Sequence, residues 1–145
     1  MTKWSVTQHH RIRPDDLRDD GRVSDAAVQR WIAIARSAYL AQCKVLETMR
    51  VRHGLKLRDR STVQPGGAAL APASGVVVTA SATEVLPSSF VISVRLRPVG
   101  GESDDPVNAT CVIRLEDPTT GEAHEIGNDV RDELIALEHA ARHFN

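Results

Sequence analysis

The sequence predicts an α+β domain in which an antiparallel sheet wraps around one long helix. Three observations carry this: a helical stretch over residues 25 to 48 with no Gly or Pro, several runs of period two, and turn-forming residues between those runs. At 145 residues the chain has the usual size of one domain, so residues 1–145 are read as a single unit.

The helical stretch, DAAVQRWIAIARSAYLAQCKVLETM, begins after Ser24, a good N-cap, with Asp25 in the first turn to complement the positive end of the dipole. Its polar residues Gln29, Arg30, Arg36, Ser37, Lys44 and Glu47 fall on one narrow stripe. Val28, Trp31, Ile32, Ile34, Ala35, Ala38, Tyr39, Leu40 and Val45 occupy the rest of the circumference, so most of this helix needs a cover.

The cover is supplied by strands. In FVISVRLR, Phe90, Ile92, Val94 and Leu96 share one face, while Ser93, Arg95 and Arg97 share the other. NATCVIRLE alternates in the same way, with Ala109, Cys111, Ile113 and Leu115 on the apolar side. Val76 to Val85 and Trp4 to Arg13 are two further runs, and LKLRDRSTVQ, despite its charge, supplies a fifth strand between Leu55 and Gln64. LPSS, VGGESDDP and DPTTG make the turns. Residues 65–75, PGGAALAPASG, form a small-residue loop longer than a connection requires, read as a flexible insertion with a mobile flap as the alternative. After Gly127, Val130, Leu134, Leu137 and Ala141 recur at helical spacing and predict a C-terminal amphipathic helix.

Composition narrows the function. Hydrophobic residues make up 41% and charged ones 26%, as in ordinary globular chains. No apolar run approaches the roughly 20 residues of a membrane helix, and the polar N-terminus lacks a secretory signal, so the expected compartment is the cytoplasm. Cys43 and Cys111 lie far apart, outside any CxxC spacing, and are expected to be reduced and buried. A net charge of -1 and 3% aromatics leave no basic footprint and few aromatic rings to stack bases on, so no nucleic-acid partner is expected.

The chemistry-bearing motifs are few. An EF-hand beginning at Asp16 fails because Arg18 and Ala27 stand where ligands are needed, although Asp20 and Gly21 fit. His139 and His143 share a helical face without a third ligand, and His9 and His10 point to opposite faces of a strand, so no metal is expected. His10, on the face of Val6 and Ile12, is a core or interface histidine. There is no GxSxG, P-loop or GxGxxG. What remains is PDDLRDDGRVSD, residues 14–25: a strand, an acidic turn, a glycine, then a helix N-terminus whose unpaired N–H groups can hold an anion or polarise a carbonyl. Aspartates there are also favoured on local grounds, as turn formers and caps on a wet surface.

In this order of motifs the sequence resembles the hotdog-fold thioesterases of the 4-hydroxybenzoyl-CoA type. HRIRPDDLRDDGRV supplies the first aspartate as Asp16, the glycine as Gly21 and the aliphatic residue as Val23, and Ala35-Arg36 matches the Ala-Arg of that helix. ATEVLPSSFVISV and EDPTTGEAHEIGNDVRDEL resemble later elements, so the resemblance spans nearly the whole chain. It implies a five-stranded hotdog, a homodimer or dimer of dimers joined edge to edge, and an acyl-CoA thioesterase site at the dimer interface, with CoA along the dimer surface near residues 65–75 and no cofactor beyond the CoA of the substrate. It implies the backbone N–H near Asp25 as oxyanion donor, and with Arg18 in the position of the family's catalytic aspartate, Asp16 or Asp20 is expected to be the carboxylate that activates water or attacks the thioester.

The departure is Arg18, which stands where the resemblance expects the catalytic aspartate, and an arginine takes no proton at neutral pH. Asp16, Asp19, Asp20 and Asp25 are the nearby substitutes, and Arg18 would pair with one of them or bind a carboxylate or phosphate. Ala33 replaces the glutamate common two residues before the Ala-Arg. The alternative is therefore a non-catalytic hotdog that binds acyl-CoA or another ligand, or serves as a structural dimer. A dehydratase is a distant third, since no His-Asp loop motif is present.

Overall fold

The computed structural model describes residues 4–64, 70, 72–101, 103 and 105–144, the last four as backbone only. Along the chain run β1 (Val6–Arg11), a single 3-10 turn (Pro14–Asp16), α1 (Asp25–Leu40), α2 (Lys44–His53), β2 (Lys56–Gln64), β3 (Gly75–Val85), β4 (Ser89–Val99), β5 (Val107–Glu116) and α3 (Gly127–Phe144). All five strands form one antiparallel sheet in the order β1-β3-β4-β5-β2, with β1 and β2 at the edges.

Alternation along each strand gives the sheet two unlike faces. Val76, Val78, Ala80, Phe90, Ile92, Val94, Leu96, Ala109, Cys111, Ile113 and Leu115 are buried on the concave face, against the buried Val28, Trp31, Ile32, Ala35 and Tyr39 of α1. The sheet thus encloses one helix. The charge of β2 has a simple cause: it is an edge strand with Lys56, Arg58 and Arg60 on the outer face, where water rather than core sets the residue type. β1 is shorter than the Trp4 to Arg13 run because Ile12 donates its N–H to the Ser74 carbonyl, outside the β1–β3 ladder, and Pro14 starts the 3-10 turn.

The continuous helix expected over residues 25 to 48 is not found. Helix α1 stops at Leu40, and α2 starts at Lys44 after 3-10-type bonds from Gln42 N–H to the Tyr39 carbonyl and from Cys43 N–H to the Leu40 carbonyl. No local breaker causes this. The break is held from outside, by Glu133 of α3, whose carboxylate accepts the N–H groups of Val45 (2.9 Å) and Leu46 (3.2 Å) in the first turn of α2. The turn lets Cys43 and Leu46 enter the core, and leaves Ile34 and Val45, both expected under cover, exposed. Gly54, at φ 61°, ends α2 in the left-handed conformation that glycine adopts without penalty.

Helix α3 lays Val130 and Leu134 on the core and aims Glu138 at the open end of the α1 envelope. That carboxylate accepts from Tyr39 OH (2.7 Å), Ser5 Oγ (2.8 Å), Ser81 Oγ (2.6 Å) and the Ala82 N–H (2.9 Å). One side chain therefore ties α1, β3 and the start of β1 to α3. Burial, with the Glu138 carboxylate second, holds the Tyr39 phenol protonated well above its ordinary range. Cys43 and Cys111 are both buried free thiols, and burial, reinforced by Glu133 and Glu138, pushes Cys43 up to about 12. Of the 65–75 loop, residues 65–69 and 71 lie outside the described residues, while Leu70 is fully buried. Among the described residues no helix is long and apolar enough to cross a membrane.

Two measurements follow. Glu138→Ala strands the buried Tyr39 hydroxyl and the Ala82 N–H, and we expect it to lower the unfolding free energy by about 3 kcal/mol, against about 1 kcal/mol for Tyr39→Phe; equal losses in urea titrations would refute the shared-acceptor role. Because the nucleophile is the thiolate, Cys43 should react with a disulfide reagent at pH 8 only as fast as the chain unfolds, and prompt labelling of the folded protein would contradict its burial.

Candidate functional site

The site is built from residues 11–31. Beyond β1 the chain stays extended through Arg13, and Pro14, with its φ already fixed, opens the 3-10 turn. Asp16 then folds back: one carboxylate oxygen accepts the Arg13 N–H at 2.9 Å, and the other lies 2.5 Å from an Arg30 guanidinium nitrogen on α1. Its backbone carbonyl accepts the Ser24 N–H at 2.8 Å. Asp16 thereby fastens the strand end, the helix entry and the first turns of α1 together. Only 4% of it is exposed. Burial alone would raise its pKa, but the Arg13 N–H and the Arg30 guanidinium outweigh that and hold the carboxyl below its usual range.

Between Leu17 and Val23 the chain makes a small loop closed by a bridge between those two residues. Arg18 donates its N–H to the Arg22 carbonyl, Gly21 donates to the Arg18 carbonyl, and Gly21 takes a φ of 83°, which admits glycine here and penalises a side chain. At the lip, Asp20 accepts the Arg22 N–H at 3.0 Å and pairs with Arg18 at 3.0 Å, both side chains being nearly half exposed. Val23 is fully buried and anchors the loop. Ser24 caps α1 by accepting the Ala27 N–H at 3.1 Å. The N–H groups of Asp25 and Ala26, in the first helical turn, have no intrahelical acceptor.

The loop thus separates the four sequence-nominated residues. Asp16 is buried with both oxygens engaged and its carboxyl held below its usual range. Arg18 and Asp20 stand together at the rim, and Asp25 and Asp19 are exposed. Sequence reasoning missed Arg30, assigned to the solvent stripe, which is the partner of Asp16 and also lies over the Trp31 ring, 5.6 Å from its centroid. Its signal was positional: five residues into α1, it faces back toward the strand that the acidic turn leaves. Arg36, likewise assigned to the stripe, reaches β2 and pairs with Asp59 at 3.0 Å.

Beside the loop, His9, His10, Arg11, Arg13, Asp16, Arg30 and Trp31 line a cleft of about 530 Å³ at the β1 edge. His10 stacks on Trp31 with ring centroids 6.3 Å apart, as a histidine between strand and helix should, and burial followed by Arg30 and His9 lowers its pKa. His139 is exposed, and the side chain of His143 lies outside the described residues. Among the described residues no three His, Cys, Asp or Glu side chains converge as a metal centre requires.

This architecture is shared with solved structures. A thioesterase from Thermus thermophilus, complexed with coenzyme A and zinc, superposes with a TM-score of 0.68 over 96% of this chain and 98% of its own, at 18% identity. The chain has the hotdog fold. A mutant 4-hydroxybenzoyl-CoA thioesterase bound to 4-hydroxybenzoyl-CoA matches at TM-score 0.64 and 16% identity, over 89% of this chain and 97% of its own. The 12:0-ACP thioesterase of Umbellularia californica matches at 0.70 and 15% identity, over 91% of this chain but 53% of its own. No protein-family model matches the sequence, and no curated protein is significantly similar to it.

The Asp16 arrangement makes a pH prediction. Its folded pKa is lowered, so its contribution is complete above the unfolded value, about 3.9, and is lost as pH falls through the folded one. Asp16→Asn should cost on the order of 1–3 kcal/mol at pH 7, and in urea titrations this gap to the wild type should narrow as pH falls below about 4. A gap that does not change with pH would exclude the ionised carboxylate as its source.

Proposed function

We propose that this chain is a thioesterase-like hotdog protein, a cytoplasmic homodimer that binds an acyl-CoA or similar thioester where two sheets meet and hydrolyses it at the Pro14–Asp25 loop. The dimer forms edge to edge through β2, the longer of the two edge strands, whose outer side has no partner strand among the described residues. The observation that carries the reading is the Arg18–Asp20 pair, exposed on the Leu17–Val23 loop that leads into the N-terminus of α1. It supports a carboxylate, a cation and free backbone N–H groups acting on one reacting carbonyl.

In this mechanism Asp20 is the general base. An exposed ion pair is weak, so the carboxylate can leave Arg18 for a water molecule and take its proton as the water oxygen attacks the thioester carbonyl. The N–H groups of Asp25 and Ala26, at the positive end of the α1 dipole, hold the oxyanion, and Arg18 adds positive charge. Collapse breaks the carbon–sulfur bond, and the proton on Asp20 passes to the departing CoA sulfur. The products are a carboxylic acid and the free thiol, and no cofactor beyond the CoA of the substrate is used. Asp16 holds the loop in place for this, which its two engaged oxygens support.

The second reading, a non-catalytic acyl-CoA-binding or structural dimer, draws on Arg18 itself, a cation in the place of a catalytic carboxylate. Hydrolysis of short, long and aromatic acyl-CoAs separates the two. We expect turnover by the wild type, a fall in kcat of about 10²- to 10³-fold in Asp20→Asn, and a smaller fall in Asp16→Asn once unfolded protein is discounted. Binding of a CoA ester without turnover of any would replace the first reading by the second.

A further inference from the structure

The cleft at the β1 edge holds charged groups that the proposed hydrolysis does not use. Arg11 and Arg13 line it from the end of β1 and the residues just beyond, and Arg30 lines it from α1. Neither Arg11 nor Arg13 makes a salt bridge or a side-chain hydrogen bond among the described residues. Arg30 spends one guanidinium nitrogen on Asp16, and its side chain is 52% exposed, which leaves its remaining donors to the space it lines. The carboxylates in the same cleft are Asp16, already committed to Arg30 and the Arg13 N–H, and the exposed Asp15. Cations are therefore in excess. The lowering of the His10 pKa by Arg30 and His9, after burial, has the same origin. Beside the cations runs an apolar strip, formed by the exposed Ile34 one turn after Trp31 on α1.

Guanidinium groups gathered around an apolar strip match a ligand that carries an anion at the end of a short apolar chain, and their planar donors suit a carboxylate. Position decides which part of a thioester that is. Asp16 lines the cleft, and its carbonyl accepts the N–H of Ser24, the cap of α1. Arg30 leaves α1 five residues after Asp25, about 7.5 Å along the axis, and leans back toward the helix start to reach Asp16. An extended chain advances about 1.2 Å per bond, so roughly four to six carbons join a carbonyl at the α1 N-terminus to an anion in the cleft. The phosphates of CoA, at the far end of the pantetheine arm, lie beyond that interval.

We propose that this cleft selects thioesters whose acyl group ends in a second carboxylate, the monothioesters of short dicarboxylic acids. Arg11, Arg13 and Arg30 receive that carboxylate, and Ile34 lies along the methylenes. The inference rests on the thioester reading of the Pro14–Asp25 loop and adds the substrate class. On that reading CoA leaves the reacting carbonyl toward the β2 seam, and the acyl end leaves it toward β1, the opposite edge of the sheet. An acyl group of the same length without the carboxylate gains the apolar contact alone.

The test compares adipyl-CoA with hexanoyl-CoA, which share CoA and chain length and differ in the terminal carboxylate. We expect the wild type to hydrolyse adipyl-CoA with a KM about tenfold or more below that for hexanoyl-CoA, the gain from a charge-assisted contact. Arg11→Gln with Arg13→Gln should bring the two KM values within about twofold of each other, and Arg11→Gln alone, at the exposed end of β1, should narrow the gap if the pair does not fold. Calorimetric titration of the wild type and of Asp20→Asn with each ester reads the same preference as affinity. Equal KM and equal affinity for the two esters would overturn the proposal. So would an arginine effect of the same size on both, which would assign the cleft to the phosphates that the two esters share. Preferential binding of adipyl-CoA with neither ester hydrolysed would uphold the cleft and remove the hydrolytic reading alone.

Discussion

Everything in this molecule depends on covering α1. Trp31, Ile32, Ala35 and Tyr39 are all buried to within 2% exposure, and each large side chain removed from water contributes about 1.5–3 kcal/mol relative to an exposed one. A helix so widely apolar needs a curved cover, and one antiparallel sheet with an apolar concave face supplies it without a second layer. The enclosure also sets where function can lie. Along most of α1 the backbone and side chains are used in packing, and the free N–H groups of its first turn, at the mouth of the envelope, remain for a ligand.

Three carboxylates then play three different parts according to their surroundings. Glu138 gathers four donors and closes the far end of the envelope. Asp16 gathers two, plus a bond to its own carbonyl, and closes the near end. A carboxylate satisfied in this way is stabilised as an anion and loses basicity for the same reason. Asp20, nearly half exposed and tied among the described residues to Arg18 and one N–H, keeps the freedom that the proposed proton transfer needs. In that proposal the chemistry falls to the carboxylate with the fewest partners.

Much of this was legible in the chain. Period two fixed the inward faces of β4 and β5 residue by residue, Ser24 was recognisable as the cap, and Gly21 as the turn. What could not be read is what depends on distant partners. The end of α1 at Leu40 is set by Glu133, more than 80 residues on, which caps α2. The roles of Asp16 and Arg30 depend on each other across the turn, so neither sequence position announces that Asp16 is consumed.

Arg18 is the residue on which the proposed chemistry turns. With a carboxylate at that position, an anion beside the helix N-terminus would be held by the same amides that must receive the oxyanion, and the protein would have to keep the two apart. An arginine reverses the sign. In the proposed mechanism it adds to the positive potential of the α1 N-terminus, so both would favour the negative charge that develops on a thioester oxygen. The cost falls on proton transfer, since the base must now be a neighbour that the same arginine attracts. In the proposed mechanism that arrangement would favour polarising an ester, and it makes the exposure of the Arg18–Asp20 pair a requirement of that mechanism. Buried, the pair would lock the carboxylate as firmly as Arg30 locks Asp16; at the rim, solvent competes for Arg18 and leaves Asp20 able to act.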